Sequence, residues 1–322
     1  MEYLELLDYA YTINSQSSER ISILEDVIRG ADIARDIPIS VVARWELIDT
    51  CMYAGFPKKQ LAAFSWLINL YETTENQVRV FDLLWHYKWI TEGIVHFSEI
   101  SLEKINHLTI DMETKFKEYN YSLRPYYKIK TLQAISMGDL EAASENFVLW
   151  QGTKADFMND CTACETTEIV SYYHFIGAYK KAIKVAAPIL KGKQSCAEVP
   201  HITYGHTALA YFKLNQLDKA QDSFDRGYPM VKQRATFIST VAQFIEYLVI
   251  SKQHQKAIEV YQENLDTVEA LETDNEKLHF YTSSSKIDFP DADEVYQKAV
   301  YYATKFDERN QNNYYKNLLI IK

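Results

Sequence analysis

The sequence is poor in the residues that make tight turns, covalent cross-links and membrane spans. Nine glycines and seven prolines among 322 residues leave little room for the turns of an all-β protein. Four cysteines in a chain of this length do not indicate a disulfide scaffold. No apolar run approaches the roughly 20 residues that a membrane-spanning helix needs. These absences argue against a β-rich fold, a disulfide-rich fold and a membrane span.

The amino terminus and the charge balance limit the location and the partners. No basic segment is followed by an apolar run and a small-residue cleavage site, so we expect a cytoplasmic protein. The net charge of −10 argues against nucleic acid, which requires clustered Lys and Arg. A solvated acidic surface explains that charge most simply. Few glycines and many Tyr, Asn and Lys residues favour a bacterial source.

Sequence patterns of common catalytic sites are also missing. There is no H-E-x-x-H zinc motif, no G-x-x-x-x-G-K phosphate loop and no G-x-S-x-G nucleophile turn. We therefore expect a protein that is not an enzyme.

The clearest positive signal lies between Thr203 and Arg226. Apolar and small residues recur there at the i, i+3, i+4, i+7 spacing of a helical face. A break around Asn215, a residue that tolerates the left-handed conformation, separates this face from a second one. We predict two antiparallel helices, and the small residues Ala208 and Ala220 would let them approach closely.

This helix pair is repeated along the chain. Equivalent alanines follow one another after 39, 38 and 37 residues, namely Ala143, Ala182, Ala220 and Ala257. A period of this length, built from helix pairs, is typical of a helical solenoid. The order of aromatic, small, turn and alanine positions resembles the tetratricopeptide repeat family, in a bacterial form. Asn215 and Lys252 stand where that family has a turn glycine.

The resemblance implies an all-α fold, a right-handed superhelical solenoid of antiparallel helix pairs that binds a protein or peptide. We predict a single α-solenoid over residues 1–322, with divergent helices in 1–123 and clear repeats in 124–265. Residues 266–322 are predicted to form a loop and a capping helix. Within them, 275–289 carries three consecutive serines and is expected to be a mobile loop, and the tail 310–322 is expected to be loosely held.

The cysteines and one histidine suggest a metal site. Cys161 and Cys164 form a C-x₂-C pair, the commonest arrangement by which two thiolates reach one zinc ion. Cys164 begins the first helix of one repeat and His201 that of the next, and Cys196 lies in the loop between. Because successive first helices lie side by side and run the same way, their starts should meet at one edge. We predict a closed structural Zn²⁺ site of Cys161, Cys164, Cys196 and His201.

Other interpretations of the same residues stay open. His206, one turn beyond His201, is an alternative fourth ligand. The three cysteines would alternatively be reduced thiols packed near helix ends. A redox C-x₂-C pair is a third interpretation, although that motif usually follows a strand in a βαβ unit. Cys51, on a predicted apolar face, is interpreted as a small core residue.

The resemblance also implies a concave binding surface lined by the first helix of each repeat. Its mixture of apolar and few charged residues suits an amphipathic helix or an extended peptide. Alternatively, Phe175 and Phe212 pack against neighbouring repeats. The lining positions are Lys128, Leu132, Ile135, Ser171, His174, Phe175, Leu209, Phe212, Lys213, Glu246 and Val249.

Three functional hypotheses follow. The first is a non-enzymatic scaffold that binds a protein or peptide and carries a structural zinc. The second is a signalling-peptide receptor similar to peptide-sensing repeat proteins of Gram-positive bacteria, although residues 1–54 are too acidic for the DNA-binding module common in them. The third is an enzyme that uses Cys161, Cys164 and Cys196 with an open zinc position.

Overall fold

The computed structural model describes residues 2–320, and this part of the chain contains 17 α-helices and no β-strand. The all-α prediction is therefore confirmed for these residues. The chain divides between Gly93 and Ile94 into two compact units. No helix in residues 2–320 is both long enough and apolar enough to cross a bilayer.

The first unit is a series of five helices in which each packs on the next. Helix starts lie at Ser18, capped by Ser17, and at Ile37, which Pro38 follows, and the turn residue Gly55 has φ +81°. Cys51 is fully buried, as predicted for a core residue. The helices are α1 (Tyr3–Thr12), α2 (Ser18–Ala34), α3 (Ile37–Ala54), α4 (Pro57–Thr73) and α5 (Val80–Gly93).

The second unit begins with a short 3₁₀ turn, Ile94–His96, and contains the remaining helices. A second 3₁₀ turn, Ala235–Phe237, precedes the helix that starts at Ile238. The helices are α6 (Leu102–Glu118), α7 (Arg124–Met137), α8 (Leu140–Gly152), α9 (Thr162–Phe175), α10 (Tyr179–Leu190), α11 (His201–Lys213), α12 (Leu217–Val231), α13 (Ile238–Ile250), α14 (His254–Glu269), α15 (Asp274–Ser284), α16 (Ala292–Asn310) and α17 (Tyr314–Ile320).

From α7 onward the helices pack as adjacent pairs. Helix α7 packs on α8, α9 on α10, α11 on α12, α13 on α14 and α15 on α16. The first helices of successive pairs also contact one another, in the order α7, α9, α11, α13, α15. This arrangement confirms a repeat-like, all-helical architecture. The prediction of one continuous solenoid over the whole chain stays a prediction.

The turns inside the four predicted pairs share one backbone conformation. Gly138, Gly177, Asn215 and Lys252 have φ of 72°, 70°, 57° and 62°. The left-handed region ends a helix and is easy only for glycine and, to a lesser degree, asparagine. The turn predicted around Asn215 is confirmed, and Lys252 adopts the same strained conformation without either advantage.

Small residues at the pair interfaces allow close packing. The four repeated alanines, Ala143, Ala182, Ala220 and Ala257, are each fully buried. At Gly227 an added Cβ would lie 2.5 Å from the Cβ of Tyr204 and 2.6 Å from the ring of Phe244. No side chain fits at this distance, so α12 approaches α11 and α13 only because residue 227 is glycine.

The predicted loop at 275–289 is wrong over most of its length. Residues Asp274–Ser284 form α15, and Ser283 and Ser284 are buried. The sequence does not reveal this helix, because it is buried on several sides and its apolar residues do not form a single stripe. The three consecutive serines are typical of a turn, but here two of them lie within the helix.

The carboxyl-terminal tail is also more ordered than predicted, as far as residue 320. Tyr315 and Leu319 of α17 are buried. The Tyr315 hydroxyl donates to the carbonyl of Ser136, and Asn312 Nδ2 donates to the carbonyl of Met137 at 2.8 Å. Residues 136 and 137 end α7, so α17 fastens the last helices of this unit to its first repeat. Residues 321 and 322 lie outside the described part of the chain.

Candidate metal centre

Three of the four cysteines meet at the start of α9. Cys161 is the N-cap residue of α9, Cys164 lies in its first turn, and Cys196 lies in the loop between α10 and α11. Their Sγ atoms all lie within 4.8 Å of one another. The Sγ atoms of Cys161 and Cys164 are 3.3 Å apart. The three thiols are therefore close enough to hold one metal ion.

The C-x₂-C spacing places its two thiols together through the geometry of the helix start. Cys161 has an extended backbone, and its Sγ accepts a hydrogen bond from the backbone N–H of Cys164 at 3.4 Å. An N-cap side chain normally accepts this bond through an oxygen of Ser, Thr, Asp or Asn. The side chain of residue 161 thus lies over the first turn, beside residue 164.

The loop between α10 and α11 carries Cys196 to this point. The backbone N–H of Cys196 donates to the carbonyl of Val199 at 2.9 Å, and the Val199 N–H donates back at 3.3 Å. Val199 is buried in a small apolar cluster with Ala163 of α9 and Ile189 of α10, and Cys164 packs against it. Burial of Val199 therefore holds the Cys196 turn against the start of α9.

Two ion pairs fasten the start of α9 to α7. Arg124 pairs with Glu165 at 2.7 Å, and Lys128 Nζ pairs with Asp160 Oδ2 at 2.6 Å. Both lysine and carboxylate of the second pair are largely buried, with side-chain exposures of 6% and 14%. No local pattern in the sequence indicated these pairs, because their members are joined only by the packing of α7 beside α9.

The surroundings of Cys161 and Cys164 shift the pKa values of their two thiols in opposite directions. Burial opposes ionisation of Cys161, but hydrogen bonds from the N–H groups of Cys164 and Ala163 and from the neighbouring thiols outweigh it, so its pKa is lowered. Burial raises the pKa of Cys164, and the nearby sulfurs of Cys161 and Cys196 raise it further. Cys161, which is also exposed, is therefore the thiol of this pair that ionises first.

The donor set fits a soft or borderline metal ion. Thiolate sulfur is a preferred ligand of Zn²⁺, and tetrahedral Zn–S bonds of about 2.3 Å place sulfurs roughly 3.8 Å apart. The observed limit of 4.8 Å allows this spacing after small side-chain rotations. Within residues 2–320 no further Cys, His, Asp or Glu belongs to the group. The protein thus supplies three ligands here.

The structure does not bring the fourth predicted ligand, His201, into the group. The backbone part of the prediction is met, because α9 and α11 lie side by side and Thr167 Oγ1 is 2.8 Å from Thr203 Oγ1. The His201 ring instead stacks on Phe237 with centroids 5.2 Å apart. Burial and the nearby Arg234 lower the pKa of His201, against a backbone hydrogen bond at Glu198 that raises it.

The alternative ligand, His206, also lies outside the group. It is buried in α11 and accepts a hydrogen bond at Nδ1 from Gln243 Nε2 of α13 at 3.1 Å. Its ring lies 5.2 Å from that of His174 in the last turn of α9. Burial lowers the pKa of His174 to about 4, with Lys213 adding to the effect. Burial, with His174 beside it, lowers the pKa of His206 to about 3.

The predicted groove residues divide into buried and accessible ones. Lys128 is taken up by its pair with Asp160, and Leu209 is 2% exposed within the core of α11 to α17. Phe175 and Phe212 are partly buried and pack against core clusters, as the packing interpretation expects. Lys213 is exposed, and the other remaining positions are partly buried, namely Leu132, Ile135, Ser171, His174, Phe175, Phe212, Glu246 and Val249.

Glu246 is the one acidic residue among the predicted groove positions, and its surroundings shift its pKa. Burial raises its pKa, while Lys286 and Lys213 act in the opposite direction. It lies on α13, the same helix as Gln243, which donates a hydrogen bond to His206 of α11. His206 in turn lies beside His174 of α9, so these polar side chains lie on the first helices of three successive pairs.

Comparison with known proteins adds no further assignment. No family model matches this chain, and no curated protein matches it.

Proposed function

We propose that this protein is a non-enzymatic binding scaffold of the tetratricopeptide type, a right-handed solenoid that carries a structural zinc ion. The supporting observation is the sulfur cluster, because it joins the start of α9 to the loop that enters α11. Cys161, Cys164 and Cys196 would hold the ion. Bound there, zinc would cross-link two successive helix pairs.

Metal analysis of the purified protein tests the zinc part. We expect about one zinc per chain, by analogy with known structural sites, and its loss in C161S, C164S and C196S. C51A is the matched control, because Cys51 is buried in α3 and is not one of the three grouped thiols. Zinc-free protein isolated from zinc-supplemented cells would favour packed, reduced cysteines instead.

The variant H201Q decides the ligand set. If three thiolates suffice, H201Q keeps its zinc, since the His201 ring lies on Phe237. Loss of zinc in H201Q, with an unchanged circular dichroism spectrum, would show that His201 turns toward the sulfurs when the ion binds.

The scaffold part rests on the accessible surface along α7, α9, α11 and α13. Half-buried apolar side chains at Leu132, Phe175 and Phe212 lie on the same series of helices as Lys213 and Glu246. Apolar anchors flanked by one base and one acid suit an amphipathic helix or an extended peptide. A signalling-peptide receptor is a narrower form of this proposal.

Capture of partners from a lysate tests the groove when variants are compared. F212A should lose a partner that the unaltered protein retains, because a half-buried aromatic residue contributes strongly to binding. F157A is the control, since Phe157 is 68% exposed and lies in the loop between α8 and α9. Equal capture by F212A and the unaltered protein would contradict the groove.

One observation favours the alternative of a zinc- or thiol-dependent enzyme. Catalytic zinc sites keep one position open for water or substrate, and among residues 2–320 three protein ligands are grouped here. Hydrolase assays on zinc-loaded protein, with C196S as the inactive reference, separate this alternative from a structural site.

A further inference from the structure

The cysteine cluster has the geometry of a dithiol modification site as well as of a metal site. We propose that Cys161 and Cys164 form a reversible disulfide, and that this bond competes with the metal ion for the cluster. Only the second half of the inference rests on the proposed zinc function.

The distance between the two sulfurs carries the first half. A disulfide bond is about 2.0 Å long, and the two Sγ atoms already lie 3.3 Å apart. They belong to one turn at the start of α9, with Sγ of Cys161 held over the backbone N–H of Cys164. Side-chain rotation within that turn closes the remaining gap and leaves the helices in place.

The third cysteine is the competing partner. Cys196 is exposed and within 4.8 Å of both other sulfurs, but it belongs to a loop rather than to the same helical turn. The buried Val199 holds the turn of Cys196 in place, whereas Cys161 and Cys164 share one helical turn and their sulfurs are already 3.3 Å apart. Cys161 with Cys164 is therefore the favoured pair, and Cys196 stays a thiol.

Oxidised glutathione is a suitable oxidant, and the exchange with it is balanced. The sulfur of exposed Cys161 loses its proton to water and attacks one glutathione sulfur. The glutathione disulfide breaks, and one glutathione leaves and takes up a proton. Cys164 then loses its proton and attacks the Cys161 sulfur, which expels the second glutathione. Two protein thiols and one glutathione disulfide thus give one protein disulfide and two glutathione thiols.

Disulfide formation would remove two of the three metal ligands. One remaining thiolate does not hold zinc against water, so the ion would leave the cluster. The cross-link between α9 and the loop before α11 would disappear with it. The attachment of the loop before α11 to α9 would then depend on whether Cys161 and Cys164 are thiols or a disulfide.

Peptide mapping of metal-stripped protein tests the disulfide. After treatment with oxidised glutathione, alkylation and trypsin, Cys161 and Cys164 share the peptide 155–180, while Cys196 is in 194–213. We expect peptide 155–180 to be unalkylated and two hydrogens lighter, and peptide 194–213 to be alkylated. C196S should give the same result at 155–180. Two alkylated cysteines in 155–180, or a cross-link to 194–213, would overturn the inference.

A second arm uses zinc-loaded protein and a zinc-binding dye. Oxidised glutathione should release one zinc for each disulfide formed, whereas reduced glutathione at the same concentration should not. The two arms fail separately. Protein that binds no zinc when reduced contradicts the proposed metal function and leaves the first arm decisive. Protein that binds zinc but stays a dithiol in the first arm overturns the disulfide alone.

Discussion

Helices α9 and α11 carry two clusters of ionisable side chains that differ in how they meet solvent. At the start of α9, Cys161 and Cys196 are exposed and the three sulfurs face one another. Toward the end of α9, His174 lies beside His206, and burial lowers the pKa of both rings to about 4 and about 3. Thiols that face water thus lie at the start of α9, and two imidazoles that are partly or largely buried lie further along α9 and α11.

The difference explains which cluster is suited to bind a ligand. Exposed thiols exchange protons and metal ions freely, whereas a buried imidazole must first break its packing and its hydrogen bonds. Histidine is a common metal ligand in general, yet here His206 accepts a hydrogen bond from Gln243 and His201 lies on Phe237. The thiols are the accessible chemistry of this part of the chain.

The largest expected effect comes from breaking the buried pair that holds the start of α9. D160N leaves the Lys128 ammonium buried with its carboxylate partner removed, which typically costs about 3 kcal/mol or more of unfolding free energy. Urea unfolding monitored by circular dichroism measures the loss. Because Asp160 precedes Cys161, the exposed cluster should also bind zinc more weakly.

The double variant K128M/D160N provides the control. It removes both charges, so it should recover much of the stability that D160N loses. A double variant as unstable as D160N would mean that the pair contributes little, and that Asp160 acts through other contacts of the helix start.

A smaller effect is expected from the enclosed imidazoles on lowering the pH. Below the ordinary pKa of 6.5 the unfolded chain protonates His206, while the folded protein keeps it neutral down to about pH 3. Its contribution to stability is therefore fully present above pH 6.5 and is lost as the pH falls. H206Q removes this term, so between pH 6.5 and 5 it should lose about 1.5 kcal/mol less than the unaltered protein.

The exposed His107 of α6 supplies the matched control for that measurement. H107Q removes an imidazole that is exposed rather than buried, and urea unfolding at each pH compares it with H206Q and with the unaltered protein. If H206Q lost stability in parallel with the unaltered protein, His206 would already be charged in the folded state, which would contradict its burial.

The smallest expected effects come from the left-handed turns that join the two helices of a pair. G177A places a Cβ at φ +70°, where no neighbouring atom lies within 4 Å, so only the backbone is strained. The cost should be about 1 kcal/mol. K252G relieves the same strain at φ +62° and should stabilise by several tenths of a kcal/mol. Thermal unfolding measures the change in stability of each variant. A change in the same direction for G177A and K252G would contradict the conclusion that both turns have the left-handed conformation.

Local patterns predicted the parts of the molecule that depend on neighbours along the chain. The spacing of Ala143, Ala182, Ala220 and Ala257 indicated the helix pairs, and the break at Asn215 indicated a left-handed turn. The C-x₂-C pair placed Cys161 and Cys164 together because three residues span one helical turn at an N-cap. Each of these inferences needs only the geometry of a helix and its ends.

Where several elements meet, the same patterns were insufficient. The serines at 283–285 suggested a loop, but packing buries Ser283 and Ser284 within α15. His201 was placed at the correct edge, yet its ring turns to Phe237 because an aromatic surface is available there. Lys128 was predicted to line the groove, but its ammonium group pairs with Asp160, which lies 32 residues further along the chain.

The sequence alone therefore determined the helical period, the turns and the meeting of Cys161 with Cys164, since each follows from contacts a few residues apart. The repeat spacing also placed Cys196 with them, and the structure confirms that the three thiols meet. Only the tertiary structure decided that His201 does not join them, that the rings of His174 and His206 lie together, and that the chain around α17 returns to the end of α7. Those outcomes depend on contacts between side chains that are far apart in the chain, and such contacts exist only after the helices have packed.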